Sequence, residues 1–184
     1  MTLKQALVGA LLAAICIGGA RASVVSATTS GLALRETVHV MASPDKAYAA
    51  LIQPSRWWSS EHTFSGSASN MSLDAKAGGC WCEALPGGGS VLHLTVVYAV
   101  PGKVLRLRGA LGPFQGLAVD GAMTWSLSSA GGGTDIVLIY NLGGSVDGGF
   151  QGLAPKVDAV LAEQAARLKQ FIDTGSPEAA NAKQ

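Results

Sequence analysis

Two cysteines with a single residue between them have the most reactive side chains of this sequence. They form the segment Cys80-Trp81-Cys82, and Cys16 is the third cysteine of the sequence. Residues i and i+2 of a β-strand point to the same face, so the two thiols would lie side by side. In an oxidising compartment, a disulfide across this spacing would be strained and easily reduced, which suggests a redox role. The simpler interpretation, which we predict, is that both cysteines are small buried hydrophobic side chains.

Glu83 and the histidines are the other candidates for chemistry. Glu83 shares a strand face with Trp81, and a carboxyl group that faces an apolar interior has a raised pKa. We predict instead that Glu83 is exposed. His62 falls in a polar loop, and His93 falls on the predicted outer face of its strand. A metal site would need two ligands besides the cysteine pair, and the spacing of the histidines resembles no zinc motif. The sequence therefore predicts no catalytic residue, no metal and no cofactor.

Several functional classes lack the residues that they require. The glycine clusters do not have the GxxxxGK or GxGxxG spacing of phosphate-binding loops, and no GxSxG segment marks a serine nucleophile. The formal net charge is +1 over 184 residues, which is far from the clustered basic charge that binds nucleic acid. We therefore expect no nucleic-acid partner.

The first 22 residues have the pattern of a secretory signal peptide. Lys4 provides a positive start, residues 6–20 form an apolar run without charge, and Ala20-Arg21-Ala22 offers the small residues that a signal peptidase needs. The apolar run is shorter than the roughly 18 residues that a membrane-spanning helix requires. We predict cleavage after Ala22, a periplasmic or secreted location, and no strong membrane binding after cleavage.

The rest of the chain alternates glycine-rich turns with short apolar runs that predict β-strands. A first strand, residues 32–41, precedes a helix that begins at Ser43-Pro44, where serine can cap the helix and proline fits its first turn. Glycine clusters at 87–89 and 131–133 predict hairpin turns. Further strands are predicted at 70–76, 80–85, 90–100, 103–109, 117–129 and 134–142.

One long amphipathic helix, residues 155–173, follows the strands. Antiparallel strands that each need one covered face, followed by a single helix with an apolar stripe, suggest an α+β fold in which a curved sheet wraps around the helix. Such a fold leaves a hollow between its two layers. We expect a flexible N-terminal segment at 23–31, one domain at 32–173 and a disordered tail at 174–184, where polar residues dominate.

Alternation along the strands predicts which side chains face the hollow. In the longest strand, Leu92, Leu94, Val96 and Tyr98 share one face, which we predict to be inward because the next strand places arginines on the opposite face. The last strand is apolar on both faces, so a neighbour or a partner is expected to cover its outer surface. The residues predicted to bind a ligand are Trp57, Trp58, Leu94, Val96, Tyr98, Trp125, Leu138, Tyr140, Leu161 and Leu168.

Five short segments stand out along these strands and helices: Ser43-Pro44, Arg56-Trp57-Trp58, Gly78-Gly79, Gly133-Thr134 and Arg167-Leu168-Lys169. Together with the order of the elements, they resemble the START and birch-pollen-allergen (SRPBCC) superfamily, in particular its polyketide cyclase-like and heat-shock-ATPase-activator-like branch. The resemblance covers roughly residues 32–173 and implies a helix-grip fold with an apolar pocket between sheet and helix. Members bind lipids, sterols, polyketides or hormones, and some catalyse cyclisation or hydration. A predicted signal peptide is a departure that argues against a cytosolic chaperone-activating role.

Three functional hypotheses follow from the residues and the resemblance. The first is an exported domain that holds an apolar or amphipathic small molecule, such as a lipid, a polyketide or an aromatic compound, without catalysis. The alternative is a cyclase- or hydratase-like enzyme, in which Glu83, His62 or Tyr98 would act as general acid or base. A third is an interaction protein, for example a homo-dimer, that docks through its doubly apolar last strand.

Overall fold

The computed structural model describes residues 23–178, which form one antiparallel sheet and three α-helices. The predicted signal peptide, residues 1–22, and the last six residues of the predicted tail lie outside this range. In chain order the elements are β1 (Ser23–Ala27), β2 (Gly31–Val40), α1 (Pro44–Leu51), α2 (Pro54–Trp57), β3 (Met71–Leu73), β4 (Cys80–Ala84), β5 (Ser90–Val100), β6 (Val104–Arg108), β7 (Ala118–Ala130), β8 (Gly133–Ser145) and α3 (Ala154–Thr174).

The sheet has eight strands in the order β1-β2-β8-β7-β6-β5-β4-β3, and it curves around α3. The predicted α+β helix-grip fold is therefore confirmed. Consecutive strands from β3 to β8 are neighbours, as glycine-rich turns favour, whereas β2 pairs with β8 along ten residues. Among the described residues, no helix is both long and apolar enough to cross a membrane.

Helix α3 covers the inner face of the sheet. Its apolar stripe repeats at helical spacing, so Leu161, Ala165, Leu168 and Phe171 are all buried. The helix ends at Gly175, whose φ of 83° lets its amide donate to the carbonyl of Phe171 at 2.8 Å. The helix contacts β2, α1 and α2, so it joins the sheet to the N-terminal helical segment.

A strand forms where the sequence predicted a flexible segment. Ser23–Ala27 pairs with β2 as an edge strand, and a turn in which the Thr28 amide donates to the Gly31 carbonyl at 2.8 Å connects the two strands. The structure thus has a paired edge strand at residues 23–27, within the segment predicted to be flexible. Small and β-branched residues in this segment pair well with the exposed edge of β2.

Two bulges in β5 change which of its side chains face inward. Between β4 and β5 the register skips His93, and between β5 and β6 it skips Val97. A bulge adds one unpaired residue and so reverses the alternation beyond it. Leu94 and Val96 point into the core as predicted, but Leu92 and Tyr98, beyond the two bulges, lie on the outer face and are 55% and 49% exposed, contrary to the prediction. The prediction that Tyr98 faces the interior is wrong for this reason.

Four tryptophans fill the interior between β4, β7 and the α2 segment. Trp57, Trp58, Trp81 and Trp125 are all buried, and their rings meet edge to face with centroids 5.0 to 6.2 Å apart. Aromatic pairs favour this geometry, which adds to the gain from burying their large apolar surface. The sequence predicted a hollow between the sheet and the helix, but at this end of the sheet the tryptophan rings fill that volume.

Cys80 and Cys82 are joined by a disulfide on the outer face of β4. Both cysteines are half-buried, while Trp81 between them points into the tryptophan cluster. The prediction of two separate buried thiols is wrong.

Candidate ligand-binding site

An apolar pocket of about 480 Å³ opens at the N-terminal end of α3. One wall is the first three turns of the helix, a second is the loop at residues 61–64, and a third is the loop at residues 111–117. Tyr140 of β8 and Trp58 close the inner end. The lining residues are Trp58, Glu61, His62, Thr63, Phe64, Leu111, Gly112, Pro113, Phe114, Leu117, Tyr140, Leu153, Lys156, Val157, Val160 and Leu161.

The ten residues predicted to bind a ligand divide into three groups in the structure. Trp58, Tyr140 and Leu161 line the pocket. Tyr98 lies on the outer face of the sheet, next to the guanidinium of Arg106. The other six are packed in the core, each at most 1% exposed: Trp57, Leu94, Val96, Trp125, Leu138 and Leu168.

Sequence reasoning missed the two loops that form most of the pocket wall. Phe64 and Leu117 are 54% and 46% exposed, although they are large apolar residues in otherwise polar or glycine-rich segments. Exposed apolar side chains in loops are a signal for a binding surface. The distance between the two loops cannot be read from the sequence, so the meeting of Phe64 and Leu117 at one opening could not be predicted.

Tyr140 holds the loop at residues 109–111 against the pocket. Its hydroxyl accepts a hydrogen bond from the Leu111 amide at 2.8 Å and donates one to the Gly109 carbonyl at 3.3 Å. Burial raises the pKa of Tyr140 well above its ordinary value, so the hydroxyl stays protonated and can donate. This wall of the pocket is therefore fixed in place by a buried side chain.

Glu83 and His93 fix the opposite wall from inside the protein. Glu83 is 1% exposed, and its carboxylate accepts hydrogen bonds from the amides of Phe64, at 3.1 Å, and Ser65. The Nε2 atom of His93 lies 2.9 Å from the same carboxylate. The predictions that Glu83 is exposed and that His93 faces outward are both wrong. The bulge at His93 turns its ring inward, and residues 64–65 cover Glu83.

The pKa values of this pair follow from burial and hydrogen bonding. Burial alone would raise the pKa of Glu83, but hydrogen bonds from Ser65, Phe64 and His93 outweigh it and hold the pKa below its ordinary value. Burial lowers the pKa of His93, and the attraction of Glu83 offsets this only in part. At neutral pH the histidine is therefore neutral and donates from Nε2 to a charged carboxylate. The pair serves as an anchor for the Phe64 wall.

Three more hydrogen bonds tie the loop at the pocket mouth to its surroundings. The Ser59 amide donates to Gln164 of α3 at 2.8 Å, and the Trp58 indole donates to the His62 carbonyl at 2.9 Å. The His62 ring lies 3.0 Å from the carboxylate of Glu163. His62, which the sequence places in a polar loop, connects the rim of the pocket to the helix.

A buried acidic pair lies on another face of α3, behind the pocket wall. Glu36 of β2 is 1% exposed, and no donor from the described residues reaches its carboxylate oxygens. Asp158 is its neighbour and has a buried carboxylate oxygen of its own. Burial first, and then repulsion from Asp158, raises the pKa of Glu36 to about 7.

Comparisons with known proteins support the fold. No protein-family model matches the chain, and no curated protein matches it significantly. Among solved structures, EF2215 of Enterococcus faecalis, a conserved protein of unknown function, is 18% identical with a TM-score of 0.59, over 86% of this chain and 80% of that one. CalU16 of Micromonospora echinospora is 18% identical with a TM-score of 0.56, over 85% and 88%. The Aha1 dimer of Colwellia psychrerythraea is 16% identical with a TM-score of 0.55, over 78% and 97%.

These similarities establish what kind of architecture the chain has. At such low identity the similarity concerns the path of the backbone and does not extend to the side chains that line the pocket.

Proposed function

We propose that this chain is an exported small-molecule-binding domain that holds an apolar or amphipathic ligand in the pocket at the N-terminal end of α3. The proposal assigns residues 1–22 to a signal peptide and the mature domain to the periplasm or the extracellular space. It also places the chain in the SRPBCC superfamily, which its overall resemblance and its solved neighbours support.

The observation that carries the proposal is the chemistry of the pocket wall. Most of its lining is apolar and comes from α3 and two loops, whereas the charged groups Glu61 and Lys156 are at the edge of the opening, on exposed positions. Ligand pockets are typically lined in this way, with a few polar groups that orient the ligand. An apolar body with a polar end, such as a lipid, a polyketide or an aromatic compound, fits this distribution.

The hydrogen bonds around the pocket support binding without large rearrangement. Tyr140 holds one loop and Glu83 holds the other, so both walls are fixed before a ligand arrives. A site that is already ordered loses less conformational entropy when it binds, which favours affinity.

A cyclase- or hydratase-like activity has less support from the side chains. Glu83 and His93 are not part of the pocket lining, and Tyr98 lies on the outer face of the sheet. His62 is the one earlier candidate that lines the pocket, and its ring is paired with Glu163. A general acid or base must reach the reacting proton, so the binding role is the better assignment.

Ligand occupancy tests this proposal directly. Native mass spectrometry of the purified full chain should detect a retained small molecule. A titration with 1-anilinonaphthalene-8-sulfonate should give saturable fluorescence.

Val160→Trp places a large ring in the pocket and should weaken probe binding about tenfold or more. Ala159→Trp adds the same ring at the next helix position, which is exposed, and should change binding less than about twofold. Equal effects of the two substitutions would refute this location of the site.

A further inference from the structure

The disulfide between Cys80 and Cys82 has an arrangement that a stabilising cross-link does not need. A disulfide stabilises a fold mainly by restricting the unfolded chain, and the effect grows with the length of the loop that it closes. Here the loop contains only Trp81 between the two cysteines, so the cross-link restricts very little of the chain. The contribution of this cross-link to the stability of the fold is therefore small.

The disulfide lies on the outer face of the sheet, next to exposed residues. Cys80 and Cys82 are both half-buried. The strand partners of Cys82 are Leu92, which is 55% exposed, and Ser72, which is exposed, whereas the partner of Cys80 is the half-buried Thr95. Attack on a disulfide requires a thiolate to approach one sulfur atom. The outer face of β4 leaves room for that approach.

The cross-link also shortens β4. The Cα atoms of Cys80 and Cys82 are 5.4 Å apart, whereas two residues of an extended strand span about 6.7 Å. Opening the disulfide would allow the strand to extend locally and move the side chains between and beside the cysteines.

Those side chains support the pocket. The Trp81 ring lies 5.0 Å from that of Trp58, which lines the pocket, and Glu83 anchors the amide of Phe64, which lines it from the other side. Both Trp81 and Glu83 are on the inner face of the five-residue strand that carries the disulfide on its outer face. A change in the length of β4 therefore acts on two parts of the pocket wall.

We propose that Cys80 and Cys82 form a redox-active disulfide that exchanges with thiols of the glutathione type, and that its reduction changes the shape of the ligand pocket. In the first step a thiolate attacks one cysteine sulfur, which forms a mixed disulfide and releases the other cysteine as a thiolate. A second thiolate attacks the sulfur that was added in the first step, which releases the oxidised thiol as its disulfide. Two electrons and two protons pass to the protein. The effect on ligand affinity rests on the proposed binding function, whereas the exchange itself does not.

Thiol counting under native conditions tests the exchange. The folded full chain is incubated in glutathione buffers of increasing reducing strength, and free thiols are then blocked with N-ethylmaleimide. The number of maleimide groups is measured by mass spectrometry of the intact protein. We expect two additional maleimide groups while the far-ultraviolet circular dichroism stays unchanged. Cys80→Ser/Cys82→Ser should acquire no additional groups, and Cys16→Ser should behave as the parent chain does. Labelling that occurs only after urea has unfolded the protein would overturn the proposal.

Tryptophan emission and probe binding test the coupling to the pocket. Reduction should shift the emission of the parent chain, and the affinity for 1-anilinonaphthalene-8-sulfonate should change at least threefold between the oxidised and reduced forms. The double serine variant should have the emission and affinity of the reduced form at every buffer composition. Identical emission in the two forms would overturn the coupling. If the probe binds neither form, the proposed function fails, and thiol count and emission still decide this inference.

Discussion

Glu36 should make the protein less stable as the pH rises. Its carboxyl group is buried beside Asp158 without a donor among the described residues, and its pKa rises from 4.5 to about 7 on folding. The folded state therefore holds a proton that the unfolded state releases between these two values. Because the folded pKa is the higher one, the stability contributed by Glu36 is fully present below pH 4.5 and is lost as the pH rises through about 7.

The size of this effect follows from the two pKa values. One pKa unit corresponds to about 1.4 kcal/mol, so a shift from 4.5 to about 7 removes about 3 kcal/mol of stability at pH 8. Glu36→Gln keeps the shape of the protonated side chain and cannot ionise. The variant should be more stable than the parent chain by less than about 1 kcal/mol near pH 5 and by about 3 kcal/mol near pH 8.

Urea unfolding followed by tryptophan fluorescence at pH 5, 6, 7 and 8 measures this difference. Glu61→Gln makes the same chemical change at an exposed position and serves as the control. The reasoning is refuted if Glu36→Gln is the less stable protein at pH 8, or if its difference from the parent chain does not change with pH.

Three further substitutions test the packing and the pocket wall. Trp125→Ala should cost about 3 to 5 kcal/mol in urea unfolding because it opens a cavity among the four tryptophans, and a loss under about 1 kcal/mol would contradict its place in the core. Glu83→Ala should cost about 3 to 5 kcal/mol, because the buried His93 and the amides of Phe64 and Ser65 lose their acceptor. Hydrogen exchange of the Phe64 amide should accelerate, and unchanged exchange would argue against the anchor. Tyr98→Ala should cost less than about 1 kcal/mol and leave probe binding unchanged, since the ring is on the outer face; weaker probe binding would restore Tyr98 to the site.

The strand pattern could be predicted because it depends on local sequence. Glycine clusters at turns and alternating apolar residues located β4 to β8 and the long helix to within a few residues. The inward stripe of α3 was equally clear, since an apolar repeat at helical spacing has one face to bury. These properties need no knowledge of the neighbouring strands.

The site could not be predicted because it depends on pairing between strands and on volume. A bulge at His93 or Val97 exists only relative to the partner strand, so alternation alone placed Tyr98 and His93 on the wrong faces. The tryptophans were recognised as large apolar residues, but only their mutual distances reveal that they fill the interior. The pocket consequently lies at the end of α3, where two loops that looked unremarkable in sequence meet.

The pairing of β2 with β8 has a consequence for how the chain folds. His39 faces Asp135 in this pair, so the ladder joins segments from opposite ends of the domain. Contacts between distant segments slow folding, whereas the hairpins from β3 to β8 can form from neighbouring residues. When the chain emerges progressively, from a ribosome or through a translocation pore, β2 appears early and β8 late. We therefore expect β2 to remain unpaired with β8 until nearly the whole domain has emerged. During that interval β2 exposes an unpaired backbone edge and its apolar side chains. A chaperone that shields extended segments should therefore increase the yield of folded protein.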